Sequence, residues 1–130
     1  MSEENVEIVR RMYDAFHARD VAGLDYFDPG VVVDATHRVD GRVGQGYGEL
    51  LSILGEWMTT WEDWREEVEE VREVGDRVLV VSTQRGRGKG SGVDWEGRFW
   101  MLYEIEEGRI SRWTIYDDSD QALEAVGLAE

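Results

Sequence analysis

The most constraining stretch is VDWEGRFWMLYEIEEGRISRWTIYDD, residues 93–118. It reads as two strands joined by the tight turn Glu106-Glu107-Gly108-Arg109. Successive strand side chains point to opposite faces. Trp95, Phe99, Met101, Tyr103 and Ile105 therefore share one face, and Asp94, Glu96, Arg98, Trp100, Leu102 and Glu104 share the other. In the second strand Trp113 and Ile115 are in phase with Asp117. An acid closing an apolar row is costly to bury, and functional sites are often built from such groups.

The remainder supplies partners for this hairpin. Val6, Val9, Met12, Tyr13 and Phe16 recur at helical spacing behind Ser2, with Glu3 and Glu4 in the first turn where the helix dipole favours them. Asp20 is placed to cap a short helix over Val21–Phe27, Asp28-Pro29-Gly30 reads as a turn, and Val31-Val32-Val33 as a strand. An irregular, glycine-bearing connection from Thr36 to Gly48 leads into a third helix starting near Tyr47. Beyond it the pattern is ambiguous. Leu50, Leu54, Trp57, Trp61, Trp64, Val68 and Val71 are spaced 4-3-4-3-4-3, which favours one helix from Tyr47 to Val74. Trp64, Glu66, Val68 and Glu70 also alternate with Arg65, Glu67 and Glu69 as in a strand. Gly75-Asp76 signals a hairpin into the strand Arg77–Thr83, which continues through a glycine-alternating run to Gly92. Asp118 or Ser119 caps a last helix, Asp120–Val126, ended by Gly127. The element order gives an α+β class with helices on one face of a curved sheet, in a single domain spanning 1–130.

Composition narrows the function. With no cysteine, thiolate catalysis, disulfides and cysteine-based zinc sites are excluded. The net charge of −15 repels phosphate backbones, so nucleic acid is not an expected partner despite Arg85, Arg87 and Lys89. Lys89 is the one lysine; a Schiff-base role would need desolvation, and a glycine-rich hairpin tip implies solvation. No 18-residue apolar run and no signal-peptide pattern are present, so a cytoplasmic location without membrane association is expected. No motif supplies three convergent metal ligands, and neither metal nor cofactor is expected.

The stretches ENVEIVRRMYDAF, DYFDPGVVV, VGDRVLVVSTQRGRGKGSG, EEGRISRW and IYDDSDQALEAVGL, in this order, resemble the SnoaL-like branch of the nuclear-transport-factor-two-like (ketosteroid isomerase-like) superfamily. The resemblance spans nearly the whole chain. It implies a cone: a strongly bent antiparallel sheet wrapped around N-terminal helices, a short C-terminal helix, a pocket at the open end, and homodimers through the outer sheet face. It also implies a helix over about 47–60 followed by a strand over about 62–74, against the heptad reading. The places where ketosteroid isomerases carry their tyrosine donor and two aspartates fall near Met12, Ala35 and Met101; Tyr13 is one residue off, a rotation of about 100° on a helix. The aspartate that cyclases and epoxide hydrolases of this fold carry on the last strand falls on Ile115.

The known catalytic sets are thus unmatched, and the candidates are what remains. Asp117, His37 and Glu66 are candidate proton carriers, and Tyr103 a hydrogen-bond donor. Glu66 would face the cone interior with Trp64 and Val68. His37 would sit at the pocket rim, whereas His17, near the end of the first helix, reads as a surface residue. Ser82 and Gln84 share a face with Gly86 and Gly88, and Trp57, Trp61, Phe99, Met101, Tyr103 and Trp113 would wall an apolar cavity suited to a flat small molecule. Three readings follow: cofactor-free acid–base work on an apolar or polycyclic ligand; a non-catalytic ligand-binding or dimerisation module whose pocket is filled by its own Trp and Tyr side chains; and an interaction protein built on a long 50–71 helix.

Overall fold

The computed structural model describes residues 2–37 and 41–127. Helix α1 (Ser2–His17) is followed by a 3-10 turn of helix at Val21–Tyr26, then β1 (Phe27–His37), β2 (Val43–Gln45), α2 (Tyr47–Thr59), β3 (Trp61–Val74), β4 (Arg77–Gly88), β5 (Asp94–Glu106), β6 (Arg109–Tyr116) and α3 (Ser119–Ala125). The six strands form one curved, open sheet in the order β2-β1-β6-β5-β4-β3. Every neighbouring pair is antiparallel except β1 with β6, which run parallel. Among the described residues no helix is long and apolar enough to cross a membrane.

The hairpin of the opening stretch sits mid-sheet. Its turn places both Glu107 (φ 51°) and Gly108 (φ 80°) in the left-handed region, the backbone a two-residue hairpin turn requires. Phe99, Met101, Tyr103, Trp113 and Ile115 line the inner face with Val78 and Val80 of β4 and with Val9, Met12 and Tyr13 of α1. On the outer face Leu79, Leu102 and Tyr116 pack beneath α3 through Ala122 and Val126. Asp118 caps α3, accepting from the backbone N–H groups of Asp120 and Gln121. Trp100 and Val74 extend this apolar patch, and beyond it runs a charge ladder, with Arg85 between Glu67 and Glu96, Arg87 by Asp94, and Arg98 by Glu69. Exposed pairs of this kind contribute little stability each.

The ambiguous stretch is a helix and then a strand. α2 stops at Thr59 and β3 runs its full length beside β4, so the long helix does not exist. Register shifts fall between Glu62 and Arg65, where Asp63 has φ 53°, and between Val68 and Glu70. Each adds one residue to β3 against β4, which is a β-bulge, and a bulge reverses the strand's inside–outside phase. Trp64, Glu66 and Val68 thereby share the inner side with Trp61 before them and Val71 after them. A second correction concerns Asp28-Pro29-Gly30. It is not a turn but an irregular part of β1, where pairing with β6 skips from Phe27 to Val32, the kind of place a strand tolerates proline. The short strand β2 within the glycine-bearing connection went unpredicted.

Glycine has a structural purpose at 86. A Cβ there would lie 2.9 Å from Cβ of Trp61, so the bare backbone admits the Trp61 ring, which stacks on Trp95 at 4.2 Å and 15°. Gly86→Ala is expected to lose about 1–3 kcal/mol through overpacking. Urea denaturation checks this, and an unchanged midpoint would show that the stack tolerates the methyl group.

Candidate functional site

Between the concave sheet face, α1, the 3-10 turn and α2 lies a cavity of about 380 Å³. Its floor is Phe99, Met101 and Tyr103 of β5 with Trp113 and Ile115 of β6; its walls are Met12, Tyr13 and Phe16 of α1, Leu50, Ile53 and Trp57 of α2, and Trp64 and Glu66 of β3. Val21 and Leu51, 86% and 52% exposed, also line it and mark the mouth. A self-filled core is therefore not what the aromatic residues make. They enclose space.

Besides exposed Asp20, two polar centres among the described residues interrupt the apolar lining. The first is Glu66, whose side chain is 2% exposed. Its Oε1 lies 2.9 Å from His17 Nε2, and its Oε2 is 3.5 Å from Gln84 Nε2. Gln84 is oriented by two indoles: Trp57 Nε1 donates to its Oε1 at 2.7 Å and Trp64 Nε1 at 3.0 Å. An amide oxygen holding two donors turns its NH2 toward the carboxylate. The hydrogen bond to Glu66 raises the pKa of His17 from its ordinary 6.5, against a partial lowering by burial; Asp14 adds to the rise and Arg19 opposes it.

The second group is a pair of phenols. The hydroxyls of Tyr13 and Tyr103 are 2.6 Å apart, and Tyr13 Oη is 3.1 Å from Met101 Sδ, with Tyr103 Oη at 3.7 Å from the same sulfur. Whichever hydroxyl donates to the other, the remaining O–H is left with a thioether, a weak acceptor. Burial pushes both phenol pKa values well above 10, and the negative charge of Glu66 adds to the effect. Both remain protonated donors at neutral pH.

The sequence-derived candidates divide by place. Glu66, Gln84, Trp57, Phe99, Met101, Tyr103 and Trp113 line the cavity. Ser82 is fully buried beneath the core and outside the lining, and its hydroxyl has no partner among the described residues. Trp61 lies outside it too, stacked on Trp95 and edge-on to Trp57. His37 is exposed and stacks on Tyr116 at 4.5 Å, away from the cavity. Asp117 follows the last residue of β6 and is exposed; with the strand ended, its phase with Ile115 no longer aims it inward. Asp34, near His37, is held on the sheet by Thr36 and Arg112.

The inward reach of two residues is not evident from the sequence. A one-residue offset on a helix points Tyr13 away from the required direction, yet the inward stripe of α1 is wide enough to hold both Met12 and Tyr13. His17 is exposed, as expected, but its ring also reaches Glu66. It lies four positions after Tyr13, hence on the same face, and that spacing was the signal available. Among the described residues no cluster of three His, Asp or Glu could hold a metal ion.

The His17–Glu66 pair makes a prediction about stability. Since folding raises the pKa of His17, its contribution is fully present below about pH 6.5 and is lost as pH rises through the elevated folded value. The stability difference between the protein and His17→Gln should be largest near pH 5.5 and shrink toward pH 8.5, as read by denaturant unfolding across that range. A difference independent of pH would mean that the pair does not form.

Comparison with known proteins agrees with this architecture. The model of the SnoaL-like domain matches residues 9–113. Among solved structures, a nuclear-transport-factor-two-like protein of unknown function from Burkholderia pseudomallei is 24% identical, covering 95% of this chain and 97% of its own, with a TM-score of 0.76. A proposed SnoaL-like polyketide cyclase from Jannaschia sp. is 19% identical over 99% of this chain and 94% of its own, TM-score 0.76. A protein of ketosteroid isomerase-like fold from Catenulispora acidiphila, in complex with trimethylamine, is 17% identical over 94% and 93%, TM-score 0.72. No curated protein matches the chain. At these identities the structural likeness carries the fold alone, while the domain match covers most of the chain: it belongs to the SnoaL-like domain family.

Proposed function

We propose that the cavity binds a small, mostly apolar ring compound and catalyses proton transfer on it without a cofactor. Glu66 is the proton acceptor, and the Tyr13–Tyr103 pair is the donor to an oxygen where negative charge develops. The observation that carries this reading is a carboxylate 2% exposed that lines the same aromatic cavity as two buried, mutually hydrogen-bonded phenols. When Glu66 takes a proton from carbon, the electron pair left behind moves to a conjugated oxygen. A phenol whose O–H has only a thioether to meet is available to that oxygen at little reorganisation cost. His17 holds Oε1 from outside the cavity lining and leaves Oε2 with a single long contact. A purely binding cavity has no need of a buried acid beside a phenol whose O–H meets a thioether; still, Glu66 and Tyr103 serve recognition if no turnover exists.

A ligand-independent probe separates these. 5-Nitrobenzisoxazole is a flat bicycle whose one acidic C–H is removed by a base as its N–O bond breaks to a coloured phenolate. The protein should open it faster than the same concentration of acetate. Glu66→Gln should cost about 100-fold, in the range for loss of a general base, and Tyr103→Phe about tenfold or more. Rates equal to acetate, or unchanged in Glu66→Gln, would leave a binding module.

We further propose that the outer sheet face joins two copies of the chain. The support is apolar surface continuing beyond α3, where half-exposed Trp100 lies beside Leu102 and is overlaid by Arg98 at 5.4 Å. Sedimentation should show a dimer that Trp100→Glu converts to a monomer; a monomer in both would discard the interface.

A further inference from the structure

We propose that the ligand of this cavity carries a positive charge: an apolar ring compound bearing a protonated or quaternary amine, which sits among the aromatic rings against Glu66 Oε2. The inference rests on the reading of the cavity as a ligand site and narrows its occupant.

Three independent features select for charge. The first is the lining itself, which among the described residues contains two acids, Asp20 and Glu66, and no arginine or lysine. An anionic ligand would find no countercharge there, and desolvating an unpaired anion is expensive. The second is the state of Glu66. Among the described residues its Oε2 faces one donor, Gln84 Nε2, at 3.5 Å, although an ionised carboxylate accepts several hydrogen bonds. Gln84 cannot approach as a better partner without releasing the indoles of Trp57 and Trp64 from its oxygen. An ammonium group in the cavity supplies what the protein does not.

The third feature is the ring content around that carboxylate. Phe16, Trp57, Trp64 and Tyr103 bound the same space, and aromatic faces attract cations through their quadrupole, tryptophan most strongly. A quaternary or tertiary amine exposes methyl groups suited to such walls and keeps its charge. Beyond the cavity, the chain's charge of −15 raises the local concentration of cations and lowers that of anions. His17 does not cancel this selectivity. It engages Oε1 from α1, outside the cavity lining, and leaves Oε2 on the cavity side.

Phenyltrimethylammonium and tert-butylbenzene are nearly the same shape and differ in charge, so their binding to the intact protein isolates the claim. Dissociation constants follow from quenching of tryptophan fluorescence or from calorimetry. The cation should bind at least about tenfold more tightly, the scale of a desolvated cation–π contact with a carboxylate. Glu66→Gln should weaken the cation by about tenfold and leave tert-butylbenzene within about threefold. If the neutral molecule binds as well as the cation, or both weaken alike in Glu66→Gln, the charge assignment is overturned while the cavity remains a ligand site. If neither binds, the reading of the cavity falls with it. The comparison within the unmodified protein decides the matter even if the variant does not fold.

Discussion

A carboxylate withdrawn from water among aromatic side chains survives only if donors replace the hydration it lost. Glu66 is that group, and the arrangement around it follows from meeting its needs. His17 comes from the end of α1 and Gln84 from β4, so the first helix and the far half of the sheet must be held at a fixed separation. The indoles of Trp57 and Trp64 set the Gln84 amide, which ties α2 into the same network. Breaking one partner leaves the others incompletely bonded, and such networks fail collectively. Trp57 and Trp64 are therefore anchored by their indole nitrogens at one end and left free to enclose space at the other.

What puts Glu66 in that position is a pair of insertions in the strand ladder. Without the bulge at Asp63, Trp64 and Glu66 would lie on the outer face with the arginine and glutamate ladder. The second bulge, after Val68, restores the phase so that Val71 meets the core. Bulges also increase local bend and twist, and the sheet curves around the space they help to line. The stacked Trp61–Trp95 pair at the sheet's end, admitted by Gly86, braces Trp57 edge-on from outside the cavity. The site's geometry thus depends on two irregularities and one missing side chain.

Those same irregularities explain what could and could not be read from residue order. The central hairpin was legible, because apolar side chains recur at every second position from Trp95 to Ile105, save Gly97, and Glu107-Gly108 marks its turn. The stretch from Trp57 to Val71 was not. Inward residues on a bulged strand fall three apart at 61–64 and 68–71 and four apart at 64–68, which reproduces a heptad; the family resemblance, not periodicity, separated helix from strand. Glu66 was found by strand phase once the strand was granted. His17 was missed because nothing local announces a partner 49 residues away. Asp117 was favoured by extending alternation one step past Tyr116, where β6 ends. Pattern arguments fail where an element stops or slips, and this site is made where one slips.

The central claim is that Glu66 and the two phenols face one another across a space that a ligand occupies. A crystal structure of the protein with 3-methyl-5-nitrobenzisoxazole, a neutral analogue that lacks the acidic C–H, tests it most directly. The account predicts the ring oxygen within hydrogen-bonding distance of the Tyr13 or Tyr103 hydroxyl and the ring against Trp113 or Phe99, with Glu66 still bonded to His17. A cavity closed by its own side chains, or a Glu66 turned out to solvent away from His17, would contradict it.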